Sequence, residues 1–296
     1  MAVQATDGRW TTAPRGTSTR PRPRRRISTG TLVTLFVLAA AAAVALLPMA
    51  WMLSASVRTQ GDLVGNPSTI IPSRVTFENY VSIWQMIPFG RMFLNTTVFA
   101  GTVACVSVVV DSMAAYALAR FDFRGRSVIF VALIITLLVP IQVTFVPVYG
   151  MLVDLGWVNS MQGLIVPRLA DAFGIFFLRQ YFLALPRDLE DAARIDGCGE
   201  LGIYRRIMLP LAGPALLTIF IFNLVGNWND LLWPLMVITE QDKTTLPAGL
   251  ALFRGQYVIE YGPMMAGATL ALIPMIIAFV LVQRRFIESI ATTGIK

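Results

Sequence analysis

Asn223, Asn227 and Asp230 recur at i, i+4 and i+7, a spacing that places all three on one face of a helix. Two amides and a carboxylate in line offer donors and acceptors to a hydroxyl-bearing solute, and the neighbouring Trp228, Asn229 and Trp233 add flat aromatic surface. The same stripe equally suits hydrogen bonding between helices, a common use of Asn inside membranes. Arg168 and Asp171, three apart, form a second polar pair, readable as an ion pair that holds the fold or as a ligand site. Hydrolytic chemistry is poorly provided for. There is no histidine, which removes the usual partner of a Ser or Cys nucleophile and the commonest metal ligand. The two lysines, Lys243 and Lys296, lie in no Gly-x-x-x-x-Gly-Lys loop, so the chain lacks the usual cradle for ATP phosphates. Carboxylates in apolar runs are few, Asp111 and Asp171 being the clearest, and they lack the relay partners of a proton-coupled pump. No metal or prosthetic group is implied.

These residues sit in a chain whose solvent is lipid. Of 296 residues, 56% are apolar and 14% charged, and the mean hydropathy is +0.67. A spanning helix needs about 20 apolar residues. Charge-free runs over 27–57, 92–110, 127–153, 207–229 and 261–283 each meet that length. A sixth, from Met161 to Leu183, qualifies if Arg168, Asp171 and Arg179 snorkel, pair or face a polar interior. Long runs without alternation read as helices, because lipid offers the backbone no hydrogen-bond partners. The expected fold is an all-α integral membrane protein of six transmembrane helices.

The net charge is +7, but residues 1–30 carry seven arginines against one aspartate, so the excess belongs to a basic, disordered tail and does not argue for nucleic acid. With that tail inside the cell, inner segments collect about 18 Lys and Arg and outer loops about five, which places both termini in the cytoplasm. Cys105 and Cys198 fall at different depths and form no disulfide framework. The chain divides into the tail, 1–30, and a transmembrane domain, 31–296, with a polar inner loop at about 184–210.

That loop holds the most specific pattern. Pro186 suits a helix start, Asp188, Glu190 and Asp191 occupy the favourable first turn, and Gly197 suits a left-handed cap. The spacing predicts a helix of about two turns with Leu189, Ala192 and Ala193 on one face, where another protein's surface can approach closely. A helix lying on the membrane surface is the plainer alternative.

Asp191-Ala192-Ala193, three residues, Gly197, nine residues, Ile207, one residue, Leu209-Pro210 resembles the loop signature of binding-protein-dependent ABC importer permeases. The family's motif begins with Glu where Asp191 stands and commonly has Ala where Cys198 stands. The resemblance implies that Glu190, Asp191, Ala192, Ala193, Asp196, Gly197, Leu209 and Pro210 couple to a cytoplasmic ATPase dimer, which binds ATP and Mg. The stretch Asn227 to Leu235 is similar to the carbohydrate-uptake subfamily, as are Thr76 to Tyr80, Ala114 to Arg120 and Gln283 to Phe286. The resemblance looks closest to the maltose-permease-like second subunit. It implies a different companion permease, an extracytoplasmic solute-binding protein meeting residues 54–90 and 239–263, with Gln256 and Tyr257 as contact candidates, and a bacterial plasma membrane. A pathway wall built from Asn223, Asn227, Trp228, Asp230, Arg168 and Asp171, carrying a disaccharide, oligosaccharide or glycerol-phosphate-like solute, is the corresponding expectation. The alternative is an ion-coupled secondary transporter of a small polar solute.

Overall fold

The computed structural model describes residues 29–256 and 260–293. The basic tail, apart from its last two residues, and Tyr257 lie outside the described residues. The first helix, α1 (Thr29–Ser56), is apolar throughout and contains Pro48. The chain divides at that proline into two compact units, one ending at Leu47 and the other starting at Pro48.

The second unit is helical, and its described residues form one isolated antiparallel bridge, Arg58 with Val75, and no strand. Its helices are α2 (Gln60–Gly65), α3 (Glu78–Met86), α4 (Phe89–Arg120), α5 (Arg126–Leu138), α6 (Ile141–Asp154), α7 (Met161–Ile165), α8 (Ala172–Ala184), α9 (Asp188–Ile195), α10 (Glu200–Ile203), α11 (Leu209–Leu211), α12 (Gly213–Trp228), α13 (Leu232–Val237), α14 (Leu246–Gln256) and α15 (Tyr261–Thr293). The 32-residue α4 is the axis, packing on α12 and α8 along its length. Small residues Ala100, Ala104, Ser107 and Ala115 lie on its buried side and let these helices approach.

Among the described residues four helices are long and apolar enough to cross a bilayer, and two bent pairs bring the total to six if each pair is one span. The chain is a multi-pass membrane protein. The runs at 127–153 and 207–229 are not straight, contrary to the simplest reading of their composition. Between α5 and α6 the axis turns by 104°. Pro140 supplies no N–H and pushes Val139 into an extended conformation, so the helix stops and restarts. Between the α10–α11 segment and α12 the turn is 77°, at Ala212 just before Gly213-Pro214.

Three apolar clusters fill the unit. One joins the end of α4 to α8, α9 and the start of α12, through Leu178, Phe182, Ala193, Ile203 and Met208. A second surrounds Trp233 and Phe99, and a third lies around Ile83 and Met92.

Candidate functional site

The inner-loop helix forms as the sequence predicts. It starts at Asp188 with acids in the first turn and closes on Gly197 at φ +80°. Cys198 N–H donates to the Ala193 carbonyl at 2.9 Å and Gly197 N–H to that of Arg194 at 3.0 Å, the paired bonds of a Schellman ending. The expected face is split, however. Ala193 is buried against the first cluster together with Glu190, whereas Leu189 and Ala192 face outward with Ile195, which is 87% exposed. At about 100° per residue, adjacent alanines cannot both face a partner, and the membrane helices take Ala193. Asp191 and Asp196 are exposed. Arg194 bonds to Asp191 at 2.8 Å and Glu200 at 2.9 Å, and the Glu200 bond raises its pKa above the ordinary arginine value.

Glu190 turns inward and meets Arg120, the last residue of α4. Nε and Oε1 are 2.9 Å apart, out of line for a hydrogen bond but within ion-pair range, and the two side chains are 2% and 3% exposed. Arg120 also donates to the Leu185 carbonyl at 2.8 Å, so one guanidinium ties α4 to both ends of the α8–α9 connection. The sequence displayed Arg120 only as the end of an apolar run and gave no sign of its partner. Downstream, the backbone widens to a π-helical turn over Tyr204–Met208 before Leu209 and Pro210 open α11. Tyr204 reaches α4 through a 2.7 Å hydroxyl bond with Ser112.

The polar stripe is partly redistributed. Asn223 donates to Ser107 of α4 at 2.8 Å, and Asn227 donates to the Asn223 carbonyl at 2.8 Å while its buried Oδ1 has no partner. Trp228 is buried and donates to the Ala271 carbonyl of α15 at 3.2 Å. Asp230 lies beyond the end of α12, so the i+7 register does not carry it onto the same face. It pairs instead with Arg168 at 2.6 Å, and Arg168 stands 5.5 Å from the centre of the Trp233 ring. The anticipated Arg168–Asp171 pair is therefore corrected. A 3₁₀ turn at Val166–Arg168 interrupts the helix, and Asp171 becomes the N-cap of α8, accepting from Phe173 at 3.3 Å and Gly174 at 3.1 Å.

Asp111 is fully buried in α4. One of its oxygens accepts the Asp171 N–H at 2.9 Å and the other has no donor. Gly174 lies against it so closely that an added Cβ would collide with the carboxylate. No group of three or more His, Cys, Asp or Glu comes together among the described residues in a way that could hold a metal ion.

At the opposite end of α4 two connections are firmly built. Arg58, fully buried, is bound by Asp62 at 2.7 Å and donates to the carbonyls of Thr69 and Asn66 at 2.7 and 2.8 Å. The Arg58 bond, aided by the Ser73 hydroxyl at 2.6 Å, holds the Asp62 carboxyl well below the usual carboxylate range. Asn159, at φ +61°, accepts the Thr239 and Glu240 N–H groups at 3.2 Å and donates to the Glu240 side chain. Neither knot was singled out from sequence; Arg58 ending an apolar run, four residues before Asp62, was the available sign.

The family model described as "Binding-protein-dependent transport system inner membrane component" matches residues 107–291, which hold α9, its buried ion pair and α12. This chain belongs to that family. It is a transporter permease subunit and not an enzyme. Relatives agree along most of its length. It is 36% identical over 256 residues to the arabinooligosaccharides transport system permease protein AraQ of Halalkalibacterium halodurans, covering 86% of this chain and 92% of that one. It is 33% identical over 252 residues to the diacetylchitobiose uptake system permease protein NgcG of Streptomyces coelicolor, covering 84% and 83%. Its fold matches, at a TM-score of 0.77 and 24% identity, a chain of a bacterial ABC transporter involved in import of the acidic polysaccharide alginate, over 90% of this chain and 99% of that one.

Proposed function

We propose that this permease is one of two different membrane subunits of an ATP-driven importer for an oligosaccharide-class solute, and that α9 is the element its ATPase pushes. The observation that carries the reading is the construction of α9. It is Schellman-capped, anchored by Glu190 to Arg120, and presents Leu189, Ala192 and Ile195 outward between the carboxylates of Asp188, Asp191 and Asp196. A rigid helix with an apolar crest and an acidic rim fits a cleft that is apolar and basic at its edge. The relatives' names support a carbohydrate solute.

In this reading both termini and α9 lie on the cytoplasmic side of a bacterial inner membrane, and an extracytoplasmic binding protein delivers solute to the other side. Two cytoplasmic ATPases bind ATP and Mg and close. Their closure moves α9, and the Arg120–Glu190 contact passes the displacement to α4 while the π-helical turn passes it to α12. Arg168 and Asp230, paired with each other and 21% and 14% exposed, are the charged residues of the stripe that solute would meet. Asn223, Asn227, Trp228 and Asp171 hold the neighbouring helices in place.

The test is uptake and ATP hydrolysis by the complete complex reconstituted in vesicles. Ala192→Glu, which puts a carboxylate on the crest without touching the buried face, is expected to abolish uptake and its coupling to hydrolysis. Normal coupled uptake in that variant rejects the role of α9. Gradient-driven flux through this chain alone returns the assignment to a secondary transporter.

A further inference from the structure

Where α4 ends, two arginines from different helices converge on one carbonyl. Arg126 Nε donates to Leu118 O at 2.8 Å, and Arg179 Nε, from α8, donates to the same oxygen at 3.1 Å. Both complement the negative end of the α4 dipole. Their remaining groups differ. Arg126 spends its terminal nitrogens on Ala119 O at 3.0 Å, Phe121 O at 3.3 Å and Asp122 at 2.8 Å. Arg179 makes no ion pair among the described residues. Its guanidinium carbon sits 3.7 Å from the centre of the Phe130 ring, which itself stacks on Phe176 at 6.1 Å.

Arg179 is thus fixed by its Nε bond and by the ring beneath it, and its Nη1 and Nη2 edge has no protein acceptor among the described residues. This is the preorganised planar fork that recognises phosphate and carboxylate in a two-pronged manner. It borders a cavity of about 470 Å³ lined by Asp122, Gly125, Arg126, Ser127, Val128 and Arg179. The one carboxylate there, Asp122, is 85% exposed and already bound to Arg126. Ser127 and Val128, in the first turn of α5, which has no side-chain cap, line the same wall. From the cavity an apolar strip runs along α5 through Val128, Ile129, Val131 and Ile135, each at least 50% exposed.

We propose that this cavity seats the phosphate of an anionic phospholipid, with Arg179 as its principal ligand and the outer face of α5 as the bed for its acyl chains. A polar anion site continuous with an exposed apolar helix face matches an amphiphile better than a soluble anion. Binding requires only that the chain spans a membrane, so it stands apart from the solute and from the ATPase.

Native mass spectrometry of the detergent-purified complex, after exchange into mixtures of phosphatidylglycerol and phosphatidylcholine, reads the lipid retained. The wild type is expected to keep phosphatidylglycerol about tenfold better than Arg179→Gln, the loss that follows when a charge-assisted pair is removed. Arg205→Gln, an exposed arginine outside the cavity, should retain it normally. Val128→Glu keeps Arg179 but sets a carboxylate on the same cavity wall, where it repels a phosphate and competes for the guanidinium, so the same loss is expected there, which decides the matter if Arg179→Gln fails to fold. Wild-type retention by Val128→Glu, or by a folded Arg179→Gln, overturns the site. Displacement of the lipid by inorganic phosphate alone overturns the lipid as occupant.

Discussion

Arg120 and Glu190 meet at 2.9 Å with almost no exposure, and this contact is the only ion pair among the described residues that joins the long α4 to the short α9. A buried pair contributes little against a well-packed apolar replacement, yet losing one partner strands a charge at a cost of about 3–5 kcal/mol. Glu190→Gln and Arg120→Gln are each expected to lower the unfolding temperature of the purified complex and to impair coupled uptake. The double variant Arg120→Met/Glu190→Leu should recover most of the stability but not the coupling. Additive losses in the double variant would show that the two residues do not act as a pair.

Gly197 has open space around it, since a Cβ added there meets nothing within 4 Å, and its φ is +80°. Any loss on substitution therefore comes from the backbone. Gly197→Val is expected to cost about 1–2 kcal/mol, the usual penalty for an L-residue in that conformation, and Gly197→Asn clearly less. Thermal unfolding of the two variants side by side checks the order, and equal losses would assign the effect to something other than the cap.

Gly174 faces the opposite situation, because its missing side chain is the room in which the Asp111 carboxylate sits. Gly174→Ala is expected to destabilise by about 1–3 kcal/mol through overpacking between α4 and α8. Asp111→Asn keeps an acceptor for the Asp171 N–H and removes a buried carboxylate oxygen that has no donor. It should unfold no more easily than the wild type. A large loss in Asp111→Asn would mean that the second oxygen contributes more than the contacts around it account for.

The Arg58 knot carries a pH signature. Asp62 is held below its unfolded value of about 3.9 by Arg58 and Ser73. A carboxyl depressed in the folded state stabilises it at pH above the unfolded pKa, and that contribution is lost as the pH falls below about 4 toward the folded value. Proteolysis of residues 57–76 should therefore quicken below about pH 4 in the wild type, while Asp62→Asn should be cut readily at every pH. A flat wild-type profile would count against the depressed carboxyl.

The helices, the short inner-loop helix and the glycine that closes it were legible from sequence because each depends on neighbours in the chain: apolar run length, acids in a first turn, a residue tolerant of positive φ. Contacts between distant segments were not. Spacing alone suggests Asp171, three residues away, as a partner for Arg168, but the partner is Asp230, 62 positions on, since spacing cannot report that a 3₁₀ turn at Val166–Arg168 interrupts the helix. The split of Ala192 from Ala193 had a local cause and was available from helical geometry. The pairing of Glu190 with Arg120 was not, because either residue by itself reads as a charge near a membrane surface.

The corner between α5 and α6 sets a condition on whatever surrounds this protein. Each arm, 13 and 14 residues long, reaches only about 20 Å, and around the 104° turn Leu138, Val139, Ile141 and Val143 remain exposed. Hydrocarbon can bathe those side chains, but it cannot satisfy the peptide groups released where the helix stops. In the bilayer this elbow must rest against another protein or open onto water. The chain's own bend thus marks a stretch of its perimeter where lipid alone is an insufficient neighbour.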